Sequence, residues 1–428
     1  MSEKKKRRRS DPALGMLMAE MLFFFLGFLQ LAIQGAKWES FLLALVVPAI
    51  IFAGNEILPR LYPSDRLLLS LTNFLCALSV LVLYRWDAAT GLSQAVSYGV
   101  GVVAMILCVL FARYIPQWKR FTPLLILGSF AFLALPAFLG KEINGAKNWI
   151  SLGGFSAQPS EFVKLPLLLV LSYFLSQRKV VWAILFAGGC LVFLGIQRDL
   201  GTAIVYYGVL LCMLYALTGS LALVGGLAGG SIAALAGMYF IFQSRFHQLF
   251  EYVNNRLAIW RDLWKDAPNQ ITYGLMAVVN GGPFGTGVGL GNAGYNTRTH
   301  GGIPYAENDF IFPTIIHEFG MVFGLILLCM YGFIIVRAIM IARRSRSAFH
   351  SLLCIGCAAL ISIQSFIIIA GNFKLIPLTG VTLPFLSAGG SSMVSSLCVI
   401  GFLQGVASRN EAGVHEDRAL AMQGGEAE

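Results

Sequence analysis

The stretch IPYAENDFIFPTIIHEFG, from Ile303 to Gly320, carries two carboxylates, Glu307 and Asp309, straight into an apolar run. A carboxylate at such a boundary can take the proton of a weakly nucleophilic hydroxyl as a new bond forms, which is the task of a general base. The same position also suits a solvated acid at a helix N-terminus, stabilised by the helix dipole. Glu307 falls in loop and is expected to be solvated. His317 and Glu318 begin a HExxH pattern that fails, because position 321 is Met321, so metalloprotease chemistry is excluded. Both lie about two turns past Asp309, where ionisable groups inside a bundle need partners, and a structural or site-supporting role is expected.

A second acid–base pair stands in QPSEFVKL. Pro159 and Ser160 read as a helix start, and Glu161 and Lys164, at i and i+3, share one face just inside an apolar run. They can pair with each other, or line a polar cavity in which one holds a substrate phosphate. Ser160 and Lys164 are one residue too far apart for the serine–lysine motif of penicillin-binding proteins, which excludes transpeptidase chemistry. Asp199, with Gly201 and Thr202, opens another apolar run, and Ser387, Gly389, Gly390 and Ser391 open a third; both groups read as cavity walls. Gly289, Gly291 and Gly294 spell GxGxxG, but no strand precedes them and a dinucleotide fold is excluded. The glycine stretch from Gly281 to Gly294 either cradles a pyrophosphate with its amides or forms a surface turn. Lys147, Arg198, Arg256, Arg261, Lys265, Arg298 and Lys374 are all expected near the same boundary, where they could neutralise a pyrophosphate. A divalent cation, Mg or Mn, could do the same work, although no ligand cluster marks a site for one.

These residues need elements to hold them. The 428-residue chain is 57% hydrophobic and 12% charged, which excludes a soluble globular domain. Apolar runs of about 20 residues recur, each long enough to cross roughly 30 Å of hydrocarbon. Twelve candidate spans are read at 16–34, 40–58, 67–84, 95–115, 121–139, 162–176, 180–197, 200–218, 221–243, 311–339, 350–371 and 387–407. The fold class is therefore an all-α polytopic membrane protein with a large extracytoplasmic loop at about 244–310. The run KKKRRR, Lys4 to Arg9, reads as a topology signal facing anionic lipid rather than a nucleic-acid arm, so no nucleic-acid partner is expected.

With that end inside, the short loops PRLYPSDR, RYIPQWKR, QRK and RRSR are the basic inner ones, as the positive-inside rule requires. The loops Gly140–Lys164, Gln243–Phe310 and Gly371–Ser392 then share the outer face and can build one site. Both termini fall in the cytoplasm, and the polar tail from Ala407 onward is expected to be disordered. The eight cysteines lie within apolar runs and read as buried hydrophobes; Cys354 and Cys357 form a CxxC without the second pair that zinc would need.

In order along the chain, NGAKNWISLGG, QPSEFVKL, RDLGTA, GGPFGTGVGLGN, NDFIFPTIIHEFG and IPLTGVTLPFLSAGGSS resemble the shape, elongation, division and sporulation (SEDS) family of RodA, FtsW and SpoVE, over residues 67–407. The resemblance implies a peptidoglycan glycosyltransferase. Such an enzyme polymerises lipid II into glycan strands outside the bacterial cytoplasmic membrane and displaces undecaprenyl pyrophosphate with inversion. It implies Asp309 as the catalytic base and a class B penicillin-binding protein as partner, and it gives Lys147 and Lys374, which lie in matched motifs, weight over the other cations. It also implies a ten-helix core plus two extra N-terminal helices: a basic cytoplasmic N-terminus (1–15), two additional transmembrane helices (16–66), the polymerase core (67–407) and a cytoplasmic polar tail (408–428). Departures from the family pattern are Arg198 for a proline, Asn308 for a threonine, His317 and Phe319 in the usual Glu-Glu-Leu-Gly, Lys147 and Asn148 for two arginines, and Ala388 for a tyrosine. They bear on the branch more than on the chemistry, since the central acid is kept. Two other functions compete: a flippase or transporter for a lipid-linked precursor, which a cavity of Glu161, Lys164 and Asp199 would also serve, and a scaffold that only recruits the penicillin-binding protein.

Overall fold

The computed structural model describes residues 12–35, 38–114, 118–143, 146–152, 155–242, 254, 256–262, 270–288, 303 and 306–425. Five helices come first: α1 (Pro12–Gly35), α2 (Trp38–Leu61, with a π turn over Ala53–Ile57), α3 (Arg66–Trp86), α4 (Ala88–Tyr114) and α5 (Trp118–Leu139). A small antiparallel sheet, β1 (Lys141–Ile143), β2 (Ala146–Leu152) and β3 (Phe155–Ala157), follows in the order β1-β2-β3. Then come α6 (Pro159–Ser176), α7 (Val180–Ile196), α8 (Leu200–Thr218), α9 (Leu221–Phe242) and α10 (Gln270–Gly281), with residues 256–261 also helical. The chain closes with α11 (Ile311–Phe319), α12 (Met321–Arg344), α13 (Ala348–Asn372) and α14 (Gly390–Gly425).

Among the described residues the spans read from the sequence fall on helix, except that 311–339 is broken at Gly320 and 387–389 precede α14. Among the described residues ten helices are long and apolar enough to cross a membrane, while α7 and the stretch Leu221–Ala234 of α9 are apolar but shorter. The protein is an all-α multi-pass membrane protein whose centre is set by burial. Of the apolar windows of α3, α14 and α13, 89%, 83% and 78% is inside the protein, against 33% for α1 and 22% for α5, so the first three are the core and the last two face outward.

Caps start these helices where the polar residues stand. The Asp65 carboxylate accepts from the Leu68 amide at 3.0 Å and opens α3, Asp199 accepts from the Thr202 amide at 3.2 Å and opens α8, and Pro159 occupies the first turn of α6. The expected single span over 311–339 is instead broken between α11 and α12. Gly320 takes φ +91°, and a Cβ there would lie 2.4 Å from the Pro283 carbonyl oxygen. The break is stitched by Met321 N–H to Gly282 O (2.9 Å), Thr286 N–H to His317 O (3.0 Å) and Gly287 N–H to Glu318 O (2.9 Å). Two further expectations are corrected. The loop after α5 holds the small sheet, because alternating residues pair across short turns, and the tail continues α14 to Gly425, because Ala, Arg, Leu, Met and Gln there are good helix formers.

Behind α11, Glu318 Oε1 meets Arg85 Nη1 at 2.9 Å with the two side chains only 2% and 5% exposed. Breaking a buried pair from one side strands a charge at a cost of about 3–5 kcal/mol. Glu318→Ala is therefore expected to lower the melting temperature of the detergent-purified protein sharply, with Arg85→Met/Glu318→Leu recovering most of the loss. Equal melting of Glu318→Ala and wild type would contradict this.

Candidate functional site

The three motif-rich loops meet at one end of the bundle. Arg256 Nη1 donates to Leu378 O at 2.7 Å, and Trp260 Nε1 donates to Lys374 O at 3.0 Å, tying the helical residues 256–261 to the segment after α13. Ser387 Oγ donates to Asn308 O at 2.7 Å, and the Ala388 amide donates to Glu307 O at 2.8 Å, tying the same segment to the turn that carries Asp309. Ser160 Oγ and Gln158 Nε2 both donate to Asp199 Oδ2, at 3.2 and 2.8 Å, so the starts of α6 and α8 are joined at that end too.

Asp309 sits in the turn over residues 306–310, immediately before α11, and is half-buried. Removal from water raises its carboxyl, the Arg256 guanidinium lowers it and Glu307 raises it again, which together leave it at about 6. The two charged side chains face each other across Gly380. A Cβ on that residue would lie 3.6 Å from Arg256 Nη2 and 3.7 Å from Asp309 Oδ2. Gly380 also holds φ +73°, which side-chain-bearing residues rarely adopt. A side chain at this position would therefore stand in contact with both charged groups.

The segment from Leu378 to Gly389 is irregular, with Val381 and Leu383–Ser387 buried, and several of its carbonyls are claimed by side chains. Ser79 Oγ donates to Leu386 O (2.7 Å), Gln94 Nε2 to Ser387 O (3.1 Å), Gln364 Nε2 to Thr382 O (2.8 Å) and Tyr331 Oη to Pro384 O (2.5 Å). Ser387 Oγ accepts from the Leu383 amide at 2.8 Å while donating to Asn308, so it is a positioning residue of the Asp309 turn rather than a cavity wall. Ser391 lies in the first turn of α14 with its hydroxyl buried.

Beneath this segment lies the pair read at i, i+3. Glu161 Oε1 meets Lys164 Nζ at 2.7 Å. Ser395 Oγ donates to Glu161 Oε2 at 3.0 Å, and Lys164 donates to Gln364 Oε1 at 3.0 Å. Gln364 then reaches Thr382, whose hydroxyl shares a 2.7 Å hydrogen bond with Ser392. The network runs from α6 through α13 and α14 to the loop that braces Asp309. Both carboxylate oxygens of Glu161 are taken by protein groups, so the pair acts as internal glue in this state.

Other expectations land differently. Asp199 is a helix cap and tie, with both oxygens engaged, because a carboxylate at the start of α8 meets the Thr202 amide first. Glu307 is no bystander: its carbonyl anchors Ala388 and its charge acts on Asp309. The amides of Gly285, Thr286 and Gly287 bond to protein carbonyls, which removes them from any pyrophosphate cradle. Lys147 lies on β2, its side chain not described; Lys265, Arg298 and the GxGxxG glycines lie outside the described residues. Lys374 lies just beyond the end of α13, in the left-handed region at φ +59°, its carbonyl held by Trp260. Among the described residues no three His, Cys, Asp or Glu side chains converge to hold a metal ion. Sequence reasoning missed Ser79, Gln94 and Gln364, whose only signal was an isolated polar residue inside an apolar run.

Residues 65–412 match the family model for the cell cycle protein FtsW/RodA/SpoVE. The chain is 31% identical over 416 residues to the peptidoglycan glycosyltransferase RodA of Mycobacterium tuberculosis, covering 86% of this chain and 84% of that one. It is 32% identical over 332 residues to the stage V sporulation protein E of Bacillus subtilis, covering 73% and 85%. Among solved structures, a chain of a peptidoglycan synthase complex that coordinates polymerization and crosslinking superposes with a TM-score of 0.66 at 24% identity, over 81% of this chain and 98% of that one. The crystal structure of the Thermus thermophilus rod shape determining protein RodA gives 0.58 at 24%, over 82% and 98%. At this identity the structures share the fold.

Because the folded carboxyl of Asp309 lies above the ordinary carboxylate value, folding takes up its proton. The stability it contributes is full below the ordinary value and is lost as pH rises through about 6. Asp309→Asn should therefore melt above wild type at pH 7.5 and converge with it near about pH 4. A variant that melts below wild type across that range would contradict the environment described for Asp309.

Proposed function

The chain belongs to the FtsW/RodA/SpoVE family, and from that premise we propose that it is a peptidoglycan glycosyltransferase that polymerises lipid II at the outer face of the bacterial cytoplasmic membrane, with Asp309 as general base. The observation that carries the proposal is the placement of Asp309: half-buried, raised towards neutrality, and facing Arg256 across Gly380. A base with a value near the working pH is ionised often enough to accept a proton and basic enough to be effective.

In this reading a sugar hydroxyl of one lipid-linked disaccharide enters beside Asp309. Its oxygen attacks the anomeric carbon of the other lipid-linked chain. The bond from that carbon to the pyrophosphate oxygen breaks, undecaprenyl pyrophosphate leaves with the electron pair, and the hydroxyl proton passes to Asp309. One direct displacement inverts the anomeric configuration. Arg256 keeps the base ionisable and offers positive charge near the reacting groups. The lipid tails stay in the bilayer, which is why the acid stands at the end of a bundle.

The basic short loops gather at the opposite end, which supports both termini in the cytoplasm. The similar chain from a peptidoglycan synthase complex supports a class B penicillin-binding protein as the cross-linking partner. The family model begins at residue 65, which supports α1 and α2 as additions to the core.

The test is polymerisation of labelled lipid II by the full chain with its cognate penicillin-binding protein. Wild type is expected to give a ladder of glycan strands, and Asp309→Ala none. Gly380→Ala should slow turnover by at least about tenfold, since its methyl would stand against both Arg256 and Asp309 and its backbone would strain a φ of +73° that alanine rarely adopts. Polymer from Asp309→Ala at the wild-type rate would remove the base, and no polymer from wild type would remove the enzyme. Lipid scrambling retained by Asp309→Asn without any polymer from wild type would favour a flippase.

A further inference from the structure

At the end of the bundle away from Asp309, a cavity of about 600 Å³ opens between the start of α3, the end of α12 and the middle of α14. Arg66, Arg337 and Arg344 line it. Nothing in the glycosyl transfer uses this place, since α12 alone separates it from the Asp309 turn by roughly 30 Å or more at 1.5 Å per residue.

The cavity has a pre-set cation. Arg337 presents Nε and Nη2 to Asp65 Oδ2, with the Nε contact at 2.8 Å, and its side chain is 28% exposed while that of Asp65 is 4% exposed. Asp65 is itself fixed. Its amide donates to Gln404 Oε1 at 2.8 Å, its carbonyl accepts from Gln404 Nε2 at 3.0 Å, and it caps α3. The guanidinium is thus held in one orientation before any ligand arrives.

Arg66 and Arg344 flank it as exposed cations. Among the described residues neither side chain has an ion-pair or hydrogen-bond partner. Ser64 adds a buried hydroxyl without a hydrogen-bond partner. Three guanidiniums therefore face two carboxylates, Asp65 and Glu411, of which Asp65 is already committed to Arg337. The rim has an apolar side, with Leu67 and Met340 38% and 37% exposed.

We propose that this cavity binds the phosphate of an anionic phospholipid of the surrounding leaflet. Arg66 and Arg344 contact the phosphate oxygens, Arg337 backs them, and the acyl chains lie over Leu67 and Met340. Guanidiniums recognise phosphate by paired N–H donors, and a basic pocket between helices at the inner boundary is where anionic headgroups are concentrated. The lipid pins the ends of α3, α12 and α14 together where the irregular outer segment cannot.

The test is native mass spectrometry of the full chain in detergent, titrated separately with phosphatidylglycerol, phosphatidylcholine and inorganic phosphate. Wild type is expected to retain phosphatidylglycerol in preference to phosphatidylcholine, and Arg66→Gln/Arg344→Gln to bind it about tenfold more weakly. Both substituted residues are exposed and leave the Asp65–Arg337 pair intact, so melting of the lipid-free variant should match wild type. Equal phosphatidylglycerol binding by wild type and variant would overturn the site. Equal retention of the two lipids by wild type would overturn the anionic preference even if the variant failed to fold. Inorganic phosphate held as well as phosphatidylglycerol would make this a free-anion site and overturn the lipid assignment.

Discussion

Between α13 and α14 the segment from Leu378 to Gly389 is irregular apart from one turn, closed by Ser387 N–H to Leu383 O at 3.0 Å, and its residues Leu383–Ser387 are buried inside a membrane bundle. Irregular backbone is tolerated there only when protein or cavity water satisfies it, because each unsatisfied group costs several kcal/mol. Ser79 on α3, Gln94 on α4, Tyr331 on α12 and Gln364 on α13 each claim one of its carbonyls, and α14 begins where it ends. The segment is consequently as fixed as a helix while keeping the backbone geometry that a helix cannot offer. Its free side holds Asn308 and Glu307 by their carbonyls, and so sets where the Asp309 carboxylate points.

That rigidity gives the electrostatics a use. Burial disfavours the charge on Asp309, Glu307 adds to the penalty, and Arg256 offsets part of it. A flexible turn would relax towards water and return the acid to its ordinary value. A helix at this place could not keep the φ of +73° that Gly380 holds beside the two charged groups. The Glu161–Lys164 network carries the same bracing inward, linking α6 to Thr382 through Gln364. The resulting site is costly in stability, as sites preorganised for charge usually are.

Much of this was legible in the sequence because its signals are local. Apolar runs announce spans, basic short loops announce sidedness, and the i, i+3 spacing of Glu161 and Lys164 announces a pair. What was not legible depends on contacts between residues far apart in the chain. Ser387 looked like a small wall residue because its partner, Asn308, lies in another loop. Glu307 looked idle because its work is done by a carbonyl, which every residue has. Gln94 and Gln364 were single polar residues in apolar helices, a signal that something must be satisfied without naming what. The break at Gly320 was hidden because a glycine inside an apolar run is common, and only its φ and the nearby Pro283 carbonyl make it a break.

The tuning of Asp309 by Arg256 is open to direct measurement through the pH dependence of single-turnover glycan polymerisation by wild type and Arg256→Gln. If Asp309 is the base, as proposed, activity needs the ionised acid, and the wild-type rate should fall as pH drops through about 6. Without the guanidinium the charged form loses its support, and the acid limb of Arg256→Gln should move to higher pH while the rate at alkaline pH recovers towards wild type. Identical acid limbs in the two proteins, or a limb displaced to lower pH in the variant, would contradict a base held at that value by its neighbouring arginine.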